Sequence, residues 1–418
     1  MLKARVFMIF RNFLAWAQSA AAASRAEGAS ALARAYLEAE LSEEDRADAE
    51  VALTWLLDDP SAVVRRAMAV ELAASHFAPR HVISALAADQ SEISVPVLSR
   101  SPLLSDGELA DCVAIGDVYA QAAIALRPGL ATSVASVIAM RGEREAVISL
   151  AVNMRADLPE TVLRQMLERH GEDGEVREAI LARGDLPAAI RSDLVAATAA
   201  ALSTFVISAG WMTQERAERT CCETRESGQV EIAAGDTPAA GTLPLELVRH
   251  LRQREQLTPA LLLRALVSGN RSLFEAALCE LSGLAPVRVA GFAAAWSGAG
   301  FAALYARASL PPALLPVFRA ALAAQDDYGL IYAPGQRPQL SRLLIDGTLR
   351  ALEAMAGPDL GRVMALLQRL RAEAARAEAR VISTDLIAAA RAPQAELETA
   401  TCVEIDLDAM AAEIAAAA

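Results

Sequence analysis

An internal phase of 26–28 residues governs what this chain can fold into. An apolar residue followed by Ser, Thr or Pro, and then by a helical apolar pattern, recurs along it. The clear cases are Leu104-Ser105, Leu158-Pro159, Leu186-Pro187, Met212-Thr213, Leu257-Thr258-Pro259, Leu284-Ala285-Pro286 and Leu310-Pro311-Pro312. Markers Leu103, Leu130, Leu158, Leu186 and Met212 lie 27, 28, 28 and 26 residues apart, and Leu257, Leu284 and Leu310 lie 27 and 26 apart. Ser, Thr or Asp before an apolar run caps a helix, and proline is tolerated in the first helical turn. A turn divides each unit, as at Gly116-Asp117, Gly142-Glu143, Asp173-Gly174-Glu175, Gly269-Asn270 and Gly298-Ala299-Gly300, and a second short helix follows. Such a hairpin cannot bury both its faces, so neighbours must stack. The expectation is an all-α chain, an α-solenoid of about ten helical hairpins.

Composition supports helix and removes several chemistries. The 418 residues are 54% hydrophobic but 4% aromatic, with alanine at about a fifth, which favours helix over a β-sandwich or barrel. Of the 39 basic residues only Lys3 is a lysine. A P-loop, a protein-kinase site and a pyridoxal Schiff base each need a lysine, so none can be built beyond residue 3. The net charge of −13 argues against general nucleic-acid binding. Cys112, Cys221, Cys222, Cys279 and Cys402 are odd in number and scattered, which points to a reducing, cytoplasmic setting. Cys221-Cys222 reads as a redox or soft-metal pair or, more simply, as two helical thiols.

Metal and nucleophile patterns are sparse. His76 and His81 are five apart, not the i, i+4 of a shared helix face, and His170 beside Glu172, Asp173 and Glu175 reads as a solvated turn. Gly298-x-Gly300-x-x-Ala303 lacks the flanking βαβ unit of a dinucleotide site. No cofactor and no metal are expected. Trp16, Trp55, Trp211 and Trp296 are expected to pack between hairpins.

Leu57-Asp58-Asp59-Pro60-Ser61-Ala62-Val63-Val64-Arg65-Arg66-Ala67 carries an Asp…Val-Arg…Ala pattern that resembles HEAT-type repeats, and the span from about 30 to 325 resembles such arrays. Val63-Val64-Arg65, the Arg-x-Asp-Leu-Pro strings at Arg155–Pro159 and Arg183–Pro187, and Glu215-Arg216-Ala217-Glu218-Arg219 after Trp211 resemble the bacterial domain-of-unknown-function family 2336. That resemblance implies a fold but no activity and no functional residues.

Organisation follows from where the phase holds. Residues 1–30 form an N-terminal amphipathic segment. Leu2, Val6, Ile9, Phe10, Phe13 and Ala17 share a helical face, which suits a cap on the array or, alternatively, peripheral membrane contact. Arg11-Asn12 interrupts it as a signal peptide, and no run of about 20 apolar residues marks a membrane span. The array occupies 31–325, with a Gly/Ala/Thr/Pro-rich loop expected at 227–243. An aromatic loop at 326–340 holds Tyr328 and Tyr332, a helical pair broken at Gly357-Pro358 fills 341–392, and 393–418 is a loose tail.

An arginine stands three residues before the start-signal position at Arg100, Arg127, Arg155, Arg183, Arg254 and Arg307; Ala209 and Leu281 break the slot. Either these guanidinium groups stack into a ridge for an acidic partner, or each satisfies the carbonyls at its helix end. Tyr328 and Tyr332 either recognise a partner or seal the end of the array. The function expected is a non-enzymatic scaffold or adaptor binding a protein. The alternative is an enzyme on a HEAT-like scaffold, of the DNA-base excision or tetrapyrrole attachment type.

Overall fold

Helices begin where the start signals stand, but the spans from Leu186 and from Met212, expected as hairpins of two short helices, each hold one long helix, Ala188–Ser208 and Gln214–Gly235. In a computed structural model, residues 13–184, 186–235, 244–328, 337–353 and 361–391 are described, and among them every regular element is helical. The chain divides into two units, up to Ile232 and from Ala233 onward.

The first unit begins with a helical turn, α1 (13–17). Paired helices follow: α2 (Ala22–Glu38), α3 (Glu43–Leu56), α4 (Ala62–Leu72), α5 (Arg80–Ala87), α6 (Ser91–Arg100), α7 (Asp106–Ile115), α8 (Val118–Ala125), α9 (Thr132–Arg141), α10 (Arg144–Val152), α11 (Glu160–His170), α12 (Gly174–Leu181), α13 (Ala188–Ser208) and α14 (Gln214–Gly235). The N-caps are as the sequence implies. Ser105 and Glu108 form a reciprocal capping box on α7, and the Asp117 and Asp173 side chains accept from the first-turn amides of α8 and α12. Gly142 is needed between α9 and α10 because a Cβ there would stand 2.6 Å from Ile138 O; Gly116 and Gly171 meet the same obstacle.

Helices pack on their next-but-one neighbours. The even-numbered α2, α4, α6, α8, α10 and α12 lie side by side in that order, and α7, α9, α11 and α13 form a second row. Between the rows runs one continuous apolar core from Ala26 to Leu194. Alanines such as Ala33, Ala69, Ala125, Ala139 and Ala151 are fully buried there, so alanine works as packing as well as helix former.

The second unit comprises α15 (Leu245–Gln253), α16 (Pro259–Val267), α17 (Arg271–Ser282), α18 (Pro286–Ala294), α19 (Ala299–Arg307), a 3₁₀ turn (Pro312–Leu314), α20 (Leu315–Tyr328), α21 (Arg337–Glu353) and α22 (Gly361–Arg391). Helix α17 sits centrally against α15, α16, α18 and α19, while α20, α21 and α22 pack one on the next. Phe274, Phe318, Tyr305 and Phe301 form a run of ring contacts at 5.5–6.3 Å. Tyr305 donates its hydroxyl to Pro311 O at 3.0 Å, and burial pushes its phenol pKa up.

Several expectations need adjustment. Helix α14 continues to Gly235 where a loop was expected from residue 227, and 236–243 lie outside the described residues. Gln325–Tyr328 end α20 instead of opening a loop, while 329–336, the Gly357-Pro358 break, residues 1–12 and 392–418 lie outside the described residues. Trp16, Trp55 and Trp211 are exposed, not packed between hairpins. Among the described residues one helix, Ala188–Ser208, is long and apolar enough to cross a membrane by length and composition. Arg191 and Asp193 interrupt its sequence, and Ile190, Ser192 and Leu194 are buried in the first unit.

Candidate functional site

Two ladders of side-chain bonds run across the even-numbered row of the first unit. One joins helix N-termini. Arg25 Nε and Nη2 donate to the Asp59 carboxylate at 2.7 and 2.9 Å, and Arg65 donates to Asp89 at 2.6 and 3.1 Å and to Asp59 O at 2.5 Å. The Ser91 hydroxyl donates to Asp117. The Glu143 amide donates to Gln121 Oε1 at 2.8 Å, and Arg144 donates to Asp173 at 2.5 Å. In each case a group early in one even helix, or just ahead of it, meets the start of the next.

Most of the acceptors also serve their own helix start: Asp59 accepts from the Ser61 amide, Asp117 from Ala120, and Asp173 from Glu175 and Val176. These contacts favour the ionised acids. The Arg25 guanidinium holds the Asp59 carboxyl below the usual carboxylate range, and Arg144 does the same to Asp173. At Asp89 burial opposes ionisation, but Arg65 and the Gln90 amide outweigh it.

The second ladder joins helix C-termini, and it explains half of the arginine slot. Arg127 Nη1 and Nη2 donate to Leu98 O and Ser101 O, at 2.6 and 2.7 Å, at the end of α6. Asn153 Nδ2 donates to Ala125 O and Arg127 O, at 2.8 and 2.7 Å, at the end of α8. Arg183 Nη1 donates to Ala151 O and Asn153 O at 3.2 and 3.0 Å, and its Nη2 donates to Ala156 O at 3.0 Å. In the second unit Arg307 Nε donates to Ser282 O at 2.7 Å, at the end of α17. The arginine therefore serves carbonyls of the preceding repeat, 25–32 residues earlier, and not its own helix end.

The six slot arginines do not share one role. Arg127, Arg183 and Arg307 are engaged as clamps. Arg155 is exposed because Asn153, two residues earlier, already occupies the carbonyls of α8. Arg100 is exposed, with Nε 3.5 Å from Pro96 O of its own helix, and Arg254 is exposed at the end of α15. Tyr328 packs against Gly347 of α21, and its hydroxyl accepts from Arg350 at 3.1 Å. Tyr332 lies outside the described residues.

With the polar ladder groups engaged, the same helix ends leave apolar side chains in solvent. Leu126, Val152 and Leu181 are 55%, 53% and 62% exposed, and Met154 beside them is 58% exposed. The Asn153 and Arg183 bonds hold the ends of α8, α10 and α12 next to one another, so these side chains stand on adjacent helix ends. A cavity of about 380 Å³ opens beside Met154, lined in part by Arg155, Asp157, Pro159 and Pro187 and not by Leu126, Val152 or Leu181. Sequence reading missed this edge because period alone does not say which slot residues are consumed by a neighbour. The apolar residue directly before Arg127 and Asn153 was the available signal.

One acid–histidine–hydroxyl line exists at the surface. His81 Nε2 lies 2.8 Å from Thr54 Oγ1, and Nδ1 lies 3.5 Å from Glu50 Oε1. The Thr54 hydroxyl donates to Glu50 O at 2.7 Å, so its proton is committed to the backbone and not to the imidazole. The line bridges α3 and α5 and does not activate a nucleophile. Among the described residues no three His, Cys, Asp or Glu side chains are grouped to hold a metal ion.

A family model described as an uncharacterised protein conserved in bacteria (DUF2336) matches residues 93–344. Neither a curated protein nor a solved structure matches the chain.

Proposed function

We propose that this chain, which belongs to the bacterial family DUF2336, is a non-enzymatic helical-repeat scaffold of the cytoplasm that binds a protein partner along an edge of its first unit. The observation that carries the reading is the contrast at the helix ends. Arg127, Asn153 and Arg183 are spent on register, while Leu126, Val152, Met154 and Leu181 stay in solvent. Single exposed apolar residues are ordinary, but a group on adjacent helix ends is the kind of patch that protein interfaces use. Arg155, unengaged in the clamp ladder and beside Met154, supplies a cation at its margin. The partner chemistry that fits is a pair or trio of apolar anchors flanked by a carboxylate.

Combined Leu126→Asp, Val152→Asp and Leu181→Asp substitutions test this. All three positions are exposed, so folding should survive. Quantitative affinity capture from the native bacterial cytosol should lose its specific partners while the melting temperature stays put. Undiminished capture by the triple variant would refute the assignment of this edge.

A further inference from the structure

The hairpin of α13 and α14 outgrows the repeat it belongs to. Its base is tied into the first unit: Ile190, Ser192 and Leu194 are buried, Gln229 Nε2 donates to Ser192 Oγ at 3.5 Å, and a Cβ on Gly228 would stand 2.8 Å from Val195 Cγ1. Beyond Ala199, the last buried residue of α13, the helix runs about 15 Å further. The hairpin is described without a break from 186 to 235, and both its chain ends lie at the base, away from the tip. Leu202, Phe205, Ile207 and Trp211 are 58%, 54%, 37% and 70% exposed there, and no residue from 200 to 216 is buried.

The two helices of the tip differ in character. Residues 194–214 hold no charged residue and no histidine, the longest such run in the chain, whereas α14 opens with Glu215, Arg216, Glu218 and Arg219, all exposed. Polar groups at the tip are spent inside the hairpin. Thr204 Oγ1 donates to Ala200 O at 3.1 Å, Ser208 Oγ to Phe205 O at 2.9 Å, and Gln214 Nε2 to Glu218 Oε1 at 2.9 Å. Gly210, at φ 69°, and Trp211 return their amides to Ile207 O and Val206 O, both at 3.0 Å, and the rings of Phe205 and Trp211 meet edge to face at 5.4 Å. Elsewhere in the first unit such helix-end carbonyls are served by a neighbour's side chain, as by Arg127 and Arg183. An apolar, uncharged helix end with its donors spent internally is what hydrocarbon requires of a polypeptide. It offers a protein partner few of the hydrogen bonds that fix orientation in an interface.

We propose that this tip docks into the surface of a zwitterionic phospholipid bilayer, with Leu202, Phe205 and Trp211 below the headgroups and the charged start of α14 among them. Charge fits that surface. Glu215, Arg216, Glu218 and Arg219 are two acids and two bases, which match headgroups carrying both signs, whereas the chain's net charge of −13 repels an anionic membrane. Leucine, phenylalanine and tryptophan on one side of a helical element, with charges on the other, suit burial about 5–10 Å into the boundary between headgroups and acyl chains. The base of α13 stays in the core of the first unit, so the helix dips into one leaflet and does not cross the bilayer.

Flotation of the full chain with phosphatidylcholine vesicles tests this. The parent should float with the vesicles at low and at high salt. Leu202→Gln, Phe205→Gln and Trp211→Gln together should cut the bound fraction about tenfold or more, with the melting temperature unchanged because all three side chains are exposed. Phosphatidylcholine brominated on its acyl chains should quench the parent's tryptophan emission, and Trp211→Phe should remove most of that quenching while flotation persists. A parent that does not float would overturn the proposal. Quenching that survives in Trp211→Phe would do the same, because it assigns the lipid contact to another part of the chain. So would a lipid-independent dimer in sedimentation velocity that the triple variant abolishes, which assigns the tip to a second copy.

Discussion

Replacing Arg183 tests whether the guanidinium clamps hold the repeats in register. Its side chain is 6% exposed and faces three carbonyls but no carboxylate, two through Nη1 and one through Nη2. A hydrogen bond to a charged group contributes about 1.5–3 kcal/mol, but burying a guanidinium costs several kcal/mol, so the bonds do not add freely. For Arg183→Met, which keeps much of the side-chain volume, the loss is governed by Ala151 O and Ala156 O, at about 1–3 kcal/mol for each carbonyl left without a donor, while Asn153 O keeps the Ala156 amide at 3.1 Å. Water at this edge restores part of that, leaving a destabilisation of about 2–4 kcal/mol. For a unit of this size that lowers the melting temperature by about 5–15 °C. Arg183→Lys should recover less than half, because an ammonium lacks the planar fork that serves Ala151, Asn153 and Ala156 at once.

The assay is calorimetry joined to amide hydrogen exchange, since a chain of two units need not melt in one step. Faster exchange should centre on α10 and α12. Arg155→Met, in the same slot one repeat earlier, is the matched control and should stay within about 0.5 kcal/mol of the parent because Arg155 is exposed. If Arg183→Met melts with the parent, or if both variants fall equally, the clamp argument is wrong.

Two further outcomes follow from the same geometry. Asp59, Asp117 and Asp173 have folded-state pKa values below those of the unfolded chain, held down chiefly by Arg25, Ser91 and Arg144 respectively. Their stabilisation is present above about pH 4 and is lost as pH falls through the lowered values, so the first unit should melt earlier at pH 3 than at pH 6. Asp59→Asn should flatten that pH dependence in thermal melts, and an unchanged profile would refute the link. Separately, Ser309 holds φ 56°, a left-handed conformation that suits glycine. Ser309→Gly should raise stability by about 0.5–1 kcal/mol in denaturant titration, and a loss of stability would count against strain at that turn.

The helices were legible because their signals are local. Ser105 with Glu108, Asp117, Asp173, and Thr258 with Pro259 act within four residues, and each caps the helix it precedes. The partners of the arginine slot were not legible, because its acceptors are carbonyls a full repeat away and any residue supplies a carbonyl. Arg155 and Arg183 open the same Arg-x-Asp-Leu-Pro string; the difference is Asn153, two residues before Arg155 where Leu181 precedes Arg183, and only the fold shows that it reaches Ala125 O and Arg127 O first. The N-terminal ladder escaped for another reason. Its donors are Arg25, Arg65, Ser91, the Glu143 amide and Arg144, so one geometric role is filled by three kinds of group and leaves no motif.

The use of arginine follows from this geometry. At the end of an α-helix several carbonyls point away from the axis without intrahelical donors, and neighbouring ones are a few ångströms apart. A guanidinium presents parallel N–H groups that span two such carbonyls, as Arg127 does at α6, Arg169 at Ala139 O and Gly142 O, and Arg319 at Trp296 O and Gly298 O. An ammonium meets one carbonyl well and stays strongly hydrated, so lysine would hold these joints loosely. Short helices of 8–11 residues gain little from propensity alone, and their register depends on such joints and on close alanine packing. Substitutions at side chains outside the ladders and the core should therefore leave the stacking of these helices in place.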